Sequence, residues 1–342
     1  MALEYKYIIW NTFKKKYDRL IALGMGLYLI IFVGVTLAFN PNTSVETLVI
    51  RSFGSLAIVL LHIILVIGPL SRLDSRFLPI LYNRRHLGVT MFLAALVHGG
   101  LSLFQFHALG NVNPFYGLFT SNMEYGSLQN FPFQTLGFLA LLILFMMAST
   151  SHDFFLANLS AKVWKQLHMM VYLAYFLVIA HVFLGNFQQE TSWFTTIFML
   201  LGFVIVAGLH LIAAYQERKV DSLKSHEKDG WLKVCEVDEI ENDRAKIFSV
   251  GNERVAIFKY DGKLSAINNV CKHQGGPLGE GKIINGCVTC PWHGYQYLPG
   301  NGQSPPPFTE KVSTYRLHVK DKTVFIHPEA LEEGTPVTPI IC

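Results

Sequence analysis

The sequence predicts an α-helical membrane bundle of six transmembrane helices, followed by a small all-β domain. Two observations carry this prediction. Of the 342 residues, 51% are hydrophobic and only 15% are charged, whereas soluble domains carry about 25% charged residues. The charges are also unevenly placed, because the chain is apolar up to about residue 215 and charges recur every few positions from residue 216 onward. The chain therefore divides into a membrane part and a polar part.

Six stretches are long enough to cross a bilayer, which needs about 20 predominantly apolar residues. They lie near residues 20–39, 50–70, 86–106, 131–150, 166–187 and 193–215. Residues 1–19 carry charges throughout and lack the short apolar core and small-residue cleavage site of a signal peptide. We therefore expect a cytoplasmic N-terminal segment over 1–19 and a membrane domain over 20–215.

Basic residues in the connections predict the orientation, because cytoplasmic loops carry an excess of Lys and Arg. Five lie in the N-terminal segment, four in the 71–85 loop and two in the 151–165 loop, whereas the opposite connections offer only Arg51. The N-terminus and the polar part should therefore both be cytoplasmic, in a multi-pass protein of the cell inner (plasma) membrane. The net charge of +4 is too small to indicate a nucleic-acid partner.

Histidines inside the predicted spans are candidate cofactor ligands, because a polar ring in the bilayer is costly without a partner. His86 and His98 share the third span, and His168 and His181 share the fifth. Both spans run outward, and spacings of 12 and 13 positions separate the two levels by roughly 18 to 20 Å. Two levels, each with one imidazole from each helix, are what two stacked b hemes require.

The helical period favours the outer pair, His98 with His181, over the inner one. At about 100° per residue, the two histidines of each helix do not share one face. His168 could therefore pair with His86, His62 or His210, which all lie nearer the cytoplasmic side. For His62 or His210, a hydrogen bond to a neighbouring helix is the alternative interpretation.

Two stretches of the bundle resemble the ferric reductase-like transmembrane domain: RRHLG at 84–88 followed by His98, and WKQLHMMVYLAYFLVIAH at 164–181. The likeness covers about residues 45–215 and is closest to the heme-binding membrane subunit of the periplasmic methionine sulfoxide reductase system. It implies b heme on His98, His168 and His181. His86 stands where that subunit usually has an aliphatic residue, so its assignment rests on the two-level argument alone.

The polar part changes to short, often alternating, β-branched segments such as RVAIFKY and KTVFIH, separated by turns such as YDGK. This pattern predicts a small all-β domain over residues 231–330. A charged linker over 216–230 precedes it and a tail over 331–342 follows. All five cysteines lie in this part, and their odd count without disulfide-like spacing is typical of a reducing compartment and of metal binding.

Two short motifs in this domain carry metal ligands in alternating order, CKH at 271–273 and CPWH at 290–293. Cys271, His273, Cys290 and His293 supply two thiolates and two imidazoles, the ligand set of a Rieske [2Fe-2S] cluster. A zinc site can use the same donors but usually places both cysteines before both histidines. The alternating order and the glycine-rich first loop favour the [2Fe-2S] cluster.

Residues 231–328 resemble Rieske domains, and the resemblance implies the lower-potential ferredoxin type. The Rieske proteins of quinol-oxidising cytochrome complexes add a cysteine to each loop, forming a disulfide, where this chain has Gly276 and Trp292. They place a serine hydroxyl where this chain has Tyr295, whereas Tyr297 matches their tyrosine donor. Since hydrogen bonds to the cluster sulfurs raise the potential, we expect a low value that Tyr297 raises somewhat.

Together the two parts predict a membrane oxidoreductase without catalytic acid, base or nucleophile residues. It would relay single electrons from a cytoplasmic donor, resembling a ferredoxin or a flavoprotein reductase, through the [2Fe-2S] cluster and one or two b hemes. The acceptor would be periplasmic or a quinone. Two alternatives stay open: quinol-linked electron transfer within the membrane, and a Rieske redox sensor or docking module on a heme-poor bundle.

Overall fold

The structure is a computed structural model of the chain. It describes residues 12–81, 84–152, 155, 158–189, 192–222, 227–228, 230–251, 253–292 and 294–342. The chain divides into two compact units. One unit holds residues 13–66 and 84–209, and the other combines residues 67–83 with 210–342.

Eight helices of seven residues or more account for most of the described membrane part. They are α1 (Thr12–Phe39), α2 (Val45–Leu73), α3 (Arg84–Leu103), α4 (Pro114–Thr120), α5 (Phe133–Ser149), α6 (Ala161–Met169), α7 (Val171–Gln189) and α8 (Trp193–Ser222). The predicted helical membrane part is thereby confirmed. Within the described residues, five helical stretches are long and apolar enough to span a bilayer, and α5 is a shorter apolar helix.

The shorter helix α5 corresponds to the fourth predicted span. It begins after Pro132, has 17 residues and ends at Ser149. At 1.5 Å per residue it rises about 26 Å, slightly less than the hydrocarbon core of about 30 Å. Of the candidate spans, α2 is the most buried by the rest of the protein. Other residues bury 56% of its most apolar stretch, whereas none of the corresponding stretch of α1 is buried.

The helix α8 continues beyond the membrane boundary that the sequence predicts. We expected a linker from residue 216, but α8 ends at Ser222. The first residues of the linker, QERK, are good helix formers, so the helical hydrogen-bond pattern persists after the apolar sequence ends. These last turns belong to the same compact unit as the β domain.

The described residues of the β domain include twelve short strands, which confirms the predicted all-β class. The strands are β1 (Glu227–Lys228), β2 (Trp231–Glu236), β3 (Arg244–Val250), β4 (Glu253–Tyr260), β5 (Lys263–Asn268), β6 (Lys282–Ile284), β7 (Cys287–Thr289), β8 (Gln296–Tyr297), β9 (Thr314–Tyr315), β10 (Leu317–Lys320), β11 (Thr323–Ile326) and β12 (Ile340–Ile341). They form three antiparallel sheets, ordered β1-β2-β11-β10, β12-β5-β4-β3 with β9 beside β5, and β6-β7-β8.

The hairpin β4–β5 shows how the sequence pattern produces this fold. Asp261 and Gly262 have positive φ angles of 47° and 67°, as the two-residue turns that match strand twist require. Phe258 and Ile267 are fully buried on one face of the sheet and Ile257 on the other, so both faces of this hairpin are covered. The small sheet β6-β7-β8 lies beyond this hairpin in the chain, and its strands flank the second cysteine motif.

Candidate redox sites

Two loops of the β domain present the cysteine and histidine motifs, and the same backbone pattern closes both. The Cys271 N–H donates to the Gly276 carbonyl (2.9 Å), and the Gly275 N–H donates to the Cys271 carbonyl (2.7 Å). In the second loop, the Cys290 N–H donates to the Tyr295 carbonyl (2.7 Å), and the Gly294 N–H donates to the Cys290 carbonyl (2.9 Å). Each ligand motif is therefore held in a loop closed by its own backbone.

The glycine four residues after each cysteine is required by this loop geometry. Gly275 and Gly294 have φ angles of 71° and 75°, in the left-handed region that glycine enters without steric cost. Cys271 and Cys290 are each only 1% exposed. The two loops are thus repeats of one local structure, and each directs a buried sulfur inward.

The two loops meet at Gly276. A Cβ atom built on Gly276 would lie 2.9 Å from Cys290 Sγ and 3.1 Å from the Trp292 ring. These are the two positions at which the quinol-oxidising relatives are expected to carry a disulfide. Here an indole packs against bare backbone instead, so the loops are joined by van der Waals contact, and none of the five cysteines is in a disulfide.

The thiolate form of Cys271 is favoured by its neighbours. Hydrogen bonding with Cys290, with the Tyr297 hydroxyl and with the backbone N–H groups of His273 and Gln274 lowers the pKa of Cys271, against burial, which raises it. Only the thiolate binds iron well. Cys271 is therefore prepared as a metal ligand by groups already in place.

Tyr297 lies directly behind the first loop. Its hydroxyl is 3.4 Å from Cys271 Sγ and accepts a hydrogen bond from the Lys272 N–H (3.0 Å). Burial and the charge of Cys271 raise the pKa of Tyr297 far above its usual value. The hydroxyl therefore stays protonated and can donate a hydrogen bond to the sulfur. This contact is the one expected of the tyrosine donor in the family.

Tyr295 has a different partner from Tyr297. Its ring stacks on His273 at a centroid distance of 4.8 Å and an interplanar angle of 9°, and its hydroxyl donates to the Glu310 carboxylate. Burial and Glu310 raise the pKa of Tyr295. Its hydroxyl is thus engaged by Glu310, a contact that sequence inspection could not reveal because Glu310 lies in a separate loop.

The predicted ligand set is only partly described. The structure brings Cys271, Cys290 and His273 to the same end of the domain, but His293 lies outside the described residues. Among the residues that are described, no three His, Cys, Asp or Glu side chains converge as the ligands of one metal ion would.

In the bundle, the rings of His98 and His181 are close neighbours, although the two residues lie on separate helices. Their ring centroids are 6.2 Å apart, with planes at 73°. An imidazole nitrogen binds a transition metal at about 2.0–2.1 Å. With the ring centre about 1 Å behind that nitrogen, two rings on one metal have centroids about 6 Å apart. The observed spacing therefore fits two axial ligands of one heme iron.

Both rings are oriented in the same way by a neighbouring helix. Nδ1 of His98 lies 2.9 Å from the Ile50 carbonyl oxygen, and Nδ1 of His181 lies 2.9 Å from that of Phe133. A carbonyl only accepts hydrogen bonds, so Nδ1 carries the proton in each ring and Nε2 offers its lone pair. Fixing the tautomer in this way is typical of metal-binding histidines.

A glycine makes room for each of these rings. A Cβ atom on Gly54 would lie 2.7 Å from Nδ1 of His98, and one on Gly137 would lie 2.7 Å from Nδ1 of His181. Each glycine follows the accepting carbonyl by four residues, and each carbonyl precedes its histidine by 48 residues. The two halves of the site thus repeat one arrangement. The equal spacing of carbonyl, glycine and histidine in the sequence is the signal that could have revealed it.

The other candidate histidines have separate partners. Nδ1 of His86 pairs with the Asp18 carboxylate at 2.9 Å. His168 stacks on Trp164 at a centroid distance of 3.8 Å, and its Nε2 lies 3.2 Å from the Ser151 hydroxyl. His62 is buried, and its Nδ1 lies 2.9 Å from the Ile58 carbonyl of its own helix. The assignments of His86 and His168 to heme stay predictions.

Two family models match the chain, one for each part. The Rieske [2Fe-2S] domain model matches residues 230–316, and the ferric reductase like transmembrane component model matches residues 53–179. The chain is therefore a membrane electron-transfer oxidoreductase that joins these two domains. The Rieske domain implies a [2Fe-2S] cluster, and ferric reductase-like domains typically bind heme.

Relatives of known identity align with the β domain. The ferredoxin component of the alkene monooxygenase system of Xanthobacter autotrophicus is 30% identical over 106 residues, which cover 30% of this chain and 87% of that protein. The ferredoxin subunit of biphenyl dioxygenase of a Pseudomonas species is 32% identical over 99 residues, covering 28% and 90%. Through this domain the chain belongs to the Rieske [2Fe-2S] family.

Two further similarities are more limited. Cholesterol 7-desaturase nvd 1 of Ciona intestinalis is 33% identical over 104 residues, and the match spans 29% of this chain but only 22% of that protein. Among solved structures, a Sphingomonas yanoikuyae ferredoxin is similar at 22% identity and a TM-score of 0.27, covering 28% of this chain and 96% of that one.

Proposed function

We propose that the protein passes single electrons from a cytoplasmic donor, at its Rieske domain, to b heme in the bundle and on to an acceptor at the outer face. Both groups are one-electron carriers when bound. The observation that carries the proposal is the His98–His181 pair, whose spacing and tautomers fit axial ligation in a chain that also carries two cysteine-histidine loops.

The [2Fe-2S] ligands in this proposal are Cys271, His273, Cys290 and His293. Three features of the described residues support them: the two closed loops, the burial of both sulfurs and the lowered pKa of Cys271. Tyr297 would favour reduction of the cluster, because its hydroxyl donates a hydrogen bond to Cys271 Sγ. The domain bounds 20–215 and 231–330 are part of the same proposal.

The heme ligands in this proposal are His98 and His181, with His168 and His86 as candidates for a second, inner heme. The inner assignment rests on the sequence pattern alone. In the structure, His168 contacts the Ser151 hydroxyl and His86 contacts the Asp18 carboxylate. One heme at the outer level is sufficient for transfer to an outer acceptor.

The cytoplasmic orientation is supported by the excess of Lys and Arg at the N-terminus and in the 71–85 and 151–165 connections. The donor in this proposal is a reduced ferredoxin or a flavoprotein reductase, and the acceptor is periplasmic or a quinone.

The experiment uses membrane vesicles that contain the full chain, and photoreduced [2Fe-2S] ferredoxin as the donor. Ferredoxin cannot cross the bilayer, so it should reduce the b heme in inside-out vesicles and not in right-side-out vesicles. Cys290→Ser should abolish this reduction and leave reduction by dithionite intact. Cys287→Ser is the matched control, because it removes a nearby cysteine outside the ligand set. Heme that fills at the normal rate in the Cys290→Ser variant would exclude the cluster from the route.

Quinone as the membrane partner is the second candidate, and one cleft favours it. Helices α7 and α8 line an open cleft of about 290 Å³ at their connected ends, close to the lower limit of small-molecule sites. Its lining combines aromatic rings with two polar side chains: Phe183, Asn186, Phe187, Trp193, Thr196 and Ile197. Reduction of the heme in purified protein by a decyl quinol, with no ferredoxin present, would support this candidate over the first.

A further inference from the structure

Four charged side chains form an alternating chain inside the compact unit that combines residues 67–83 with 210–342. Arg254 Nη1 lies 2.6 Å from Glu217 Oε2. The second oxygen of Glu217 lies 3.7 Å from Arg72 Nε, which in turn lies 3.3 Å from Glu280 Oε1. The order is therefore Arg254, Glu217, Arg72 and Glu280, with a cation between the two carboxylates.

The four residues come from the two kinds of structure in this unit. Arg72 lies in the last turn of α2, and Glu217 lies in the last turns of α8. Arg254 is the second residue of β4, and Glu280 ends the short helical turn that follows the first ligand loop. The chain of charges therefore joins two helix ends to the β domain at two separate points.

The contact at Glu280 is coupled to the first ligand loop. The N–H of the preceding residue, Gly279, donates to the Asn269 side chain at 2.7 Å, and the Leu278 N–H donates to the Asn269 carbonyl at 2.8 Å. Asn269 lies two residues before Cys271. A displacement of Glu280 is thus transmitted to the start of the loop that carries Cys271 and His273.

The burial of Glu280 distinguishes this network from ordinary surface pairs. The Glu280 side chain is 13% exposed, and burial raises its pKa, against Arg72, which lowers it. Exposed ion pairs contribute little, and Arg72 itself is 45% exposed. The cost is therefore expected at the buried Glu280 carboxylate, which the loss of Arg72 would leave without its nearest cation. The nearby pair of Arg76 and Asp74 is of the exposed kind, with Arg76 85% exposed.

We propose that Arg72 and Glu280 are positioning residues that hold the Rieske domain in one fixed orientation on the last turns of α2 and α8. Glu217 and Arg254 form the second point of attachment, so rotation about a single ion pair is prevented. This inference goes beyond the proposed electron route and applies whichever way the electrons flow. A fixed orientation sets the side of the domain that a soluble donor can reach.

The test measures orientation directly, in stacked membrane multilayers that contain the full chain. The EPR signal of the dithionite-reduced cluster should depend strongly on the angle between the membrane plane and the magnetic field. Arg72→Gln and Glu280→Gln should each lose at least half of this angular dependence while keeping the g values and the cluster content. Arg76→Gln is the matched control and should keep the angular dependence of the wild type.

Arg72→Lys, which retains the charge, should recover part of the dependence, as expected for a positioning role. A full angular dependence in both Arg72→Gln and Glu280→Gln would overturn the inference, as would an isotropic signal in the wild type. Neither result would affect the electron route, because the route is tested by heme reduction in vesicles. The orientation measurement requires no heme and no donor protein.

Discussion

The two cofactor regions of this protein are built in different ways. In the Rieske domain, each cysteine lies in a loop closed by hydrogen bonds to residues four and five positions further along, at Gly275 and Gly276 or at Gly294 and Tyr295. In the bundle, His98 and His181 lie on separate helices, and each is oriented by a carbonyl 48 residues earlier. One region is defined by local backbone geometry, the other by packing between distant helices.

This difference teaches where each region is vulnerable. A loop closed by its own backbone fails when its ligands or its glycines change, and distant substitutions should leave it intact. A histidine pair held between helices also depends on residues that do not bind the cofactor. Gly54 and Gly137 are examples, because a Cβ atom at either position would clash with a histidine ring.

The largest effect is expected from removing a sulfur ligand. Cys271→Ser should abolish the EPR signal of the reduced cluster and leave the b heme content per chain unchanged, because the bundle does not depend on the loop. EPR and heme absorption on the same preparation provide both measurements. A parallel loss of heme would show that the two regions are not independent.

The second effect sharpens the comparison from the side of the bundle. Gly137→Ala would place a Cβ atom 2.7 Å from Nδ1 of His181, and overpacking of this kind costs about 1–3 kcal/mol. We expect about a five-fold or greater loss of heme affinity, with a similar loss for Gly54→Ala because the two halves of the site are repeats. The heme content of purified protein measures the effect.

The matched control for these glycine variants is Gly100→Ala, in the same helix as His98. A Cβ atom at Gly100 would meet no atom within 4 Å, so heme content should stay at the wild-type level. Equal heme loss in all three variants would mean that the glycines act through helix flexibility rather than through clearance for the rings.

The third effect concerns two tyrosines of the same domain that differ in their partners. Tyr297→Phe removes a hydrogen bond to Cys271 Sγ. For a bond that is about 1.4 kcal/mol stronger in the reduced than in the oxidised cluster, the potential of this one-electron couple should fall by about 60 mV. Tyr295→Phe should change it by less than half as much, because that hydroxyl donates to Glu310. A redox titration followed by EPR distinguishes the two, and the reverse order would contradict the assignment of Tyr297 as donor.

The smallest effect is expected at an exposed ion pair of the β domain, Lys246 with Glu239. Lys246 and the backbone N–H of Glu236 lower the pKa of Glu239, so this carboxylate contributes stability above its unfolded pKa and loses it as the pH falls through the folded value. Because the pair is exposed, Glu239→Gln should cost about 0.5–1 kcal/mol at pH 7.

Thermal unfolding of the full chain at pH 7 and at pH 3, followed by circular dichroism in the β region, measures the Glu239 effect. The difference between variant and wild type should shrink at the lower pH, where the wild-type carboxyl is also protonated. The cluster EPR signal should not change. A difference that grows towards low pH would reverse the sign of the proposed interaction.

The sequence was sufficient for the parts of this protein that depend on short-range pattern. Apolar stretches of bilayer length predict the helical part, because membrane solvation acts on each helix separately. The two motifs at 271–273 and 290–293 predict two short loops, which the backbone hydrogen bonds of Cys271 and Cys290 close. The assignment of Cys271, His273, Cys290 and His293 as ligands stays a prediction. The turn at Asp261 and Gly262 follows from the same kind of local signal.

Only the tertiary structure determines which side chains from different elements contact each other. Helical period alone left His168 with three possible partners, whereas the fold places its Nε2 3.2 Å from the hydroxyl of Ser151, which lies 17 residues earlier in the chain. The contact of His98 with His181 depends on how two helices pack. The ion pair of Glu280 with Arg72 and the hydrogen bond from Tyr295 to Glu310 likewise join residues that are far apart or in separate loops of the chain. The physical reason is that side-chain spacing fixes which face a residue occupies on its own element, whereas its partner depends on the packing of the whole chain.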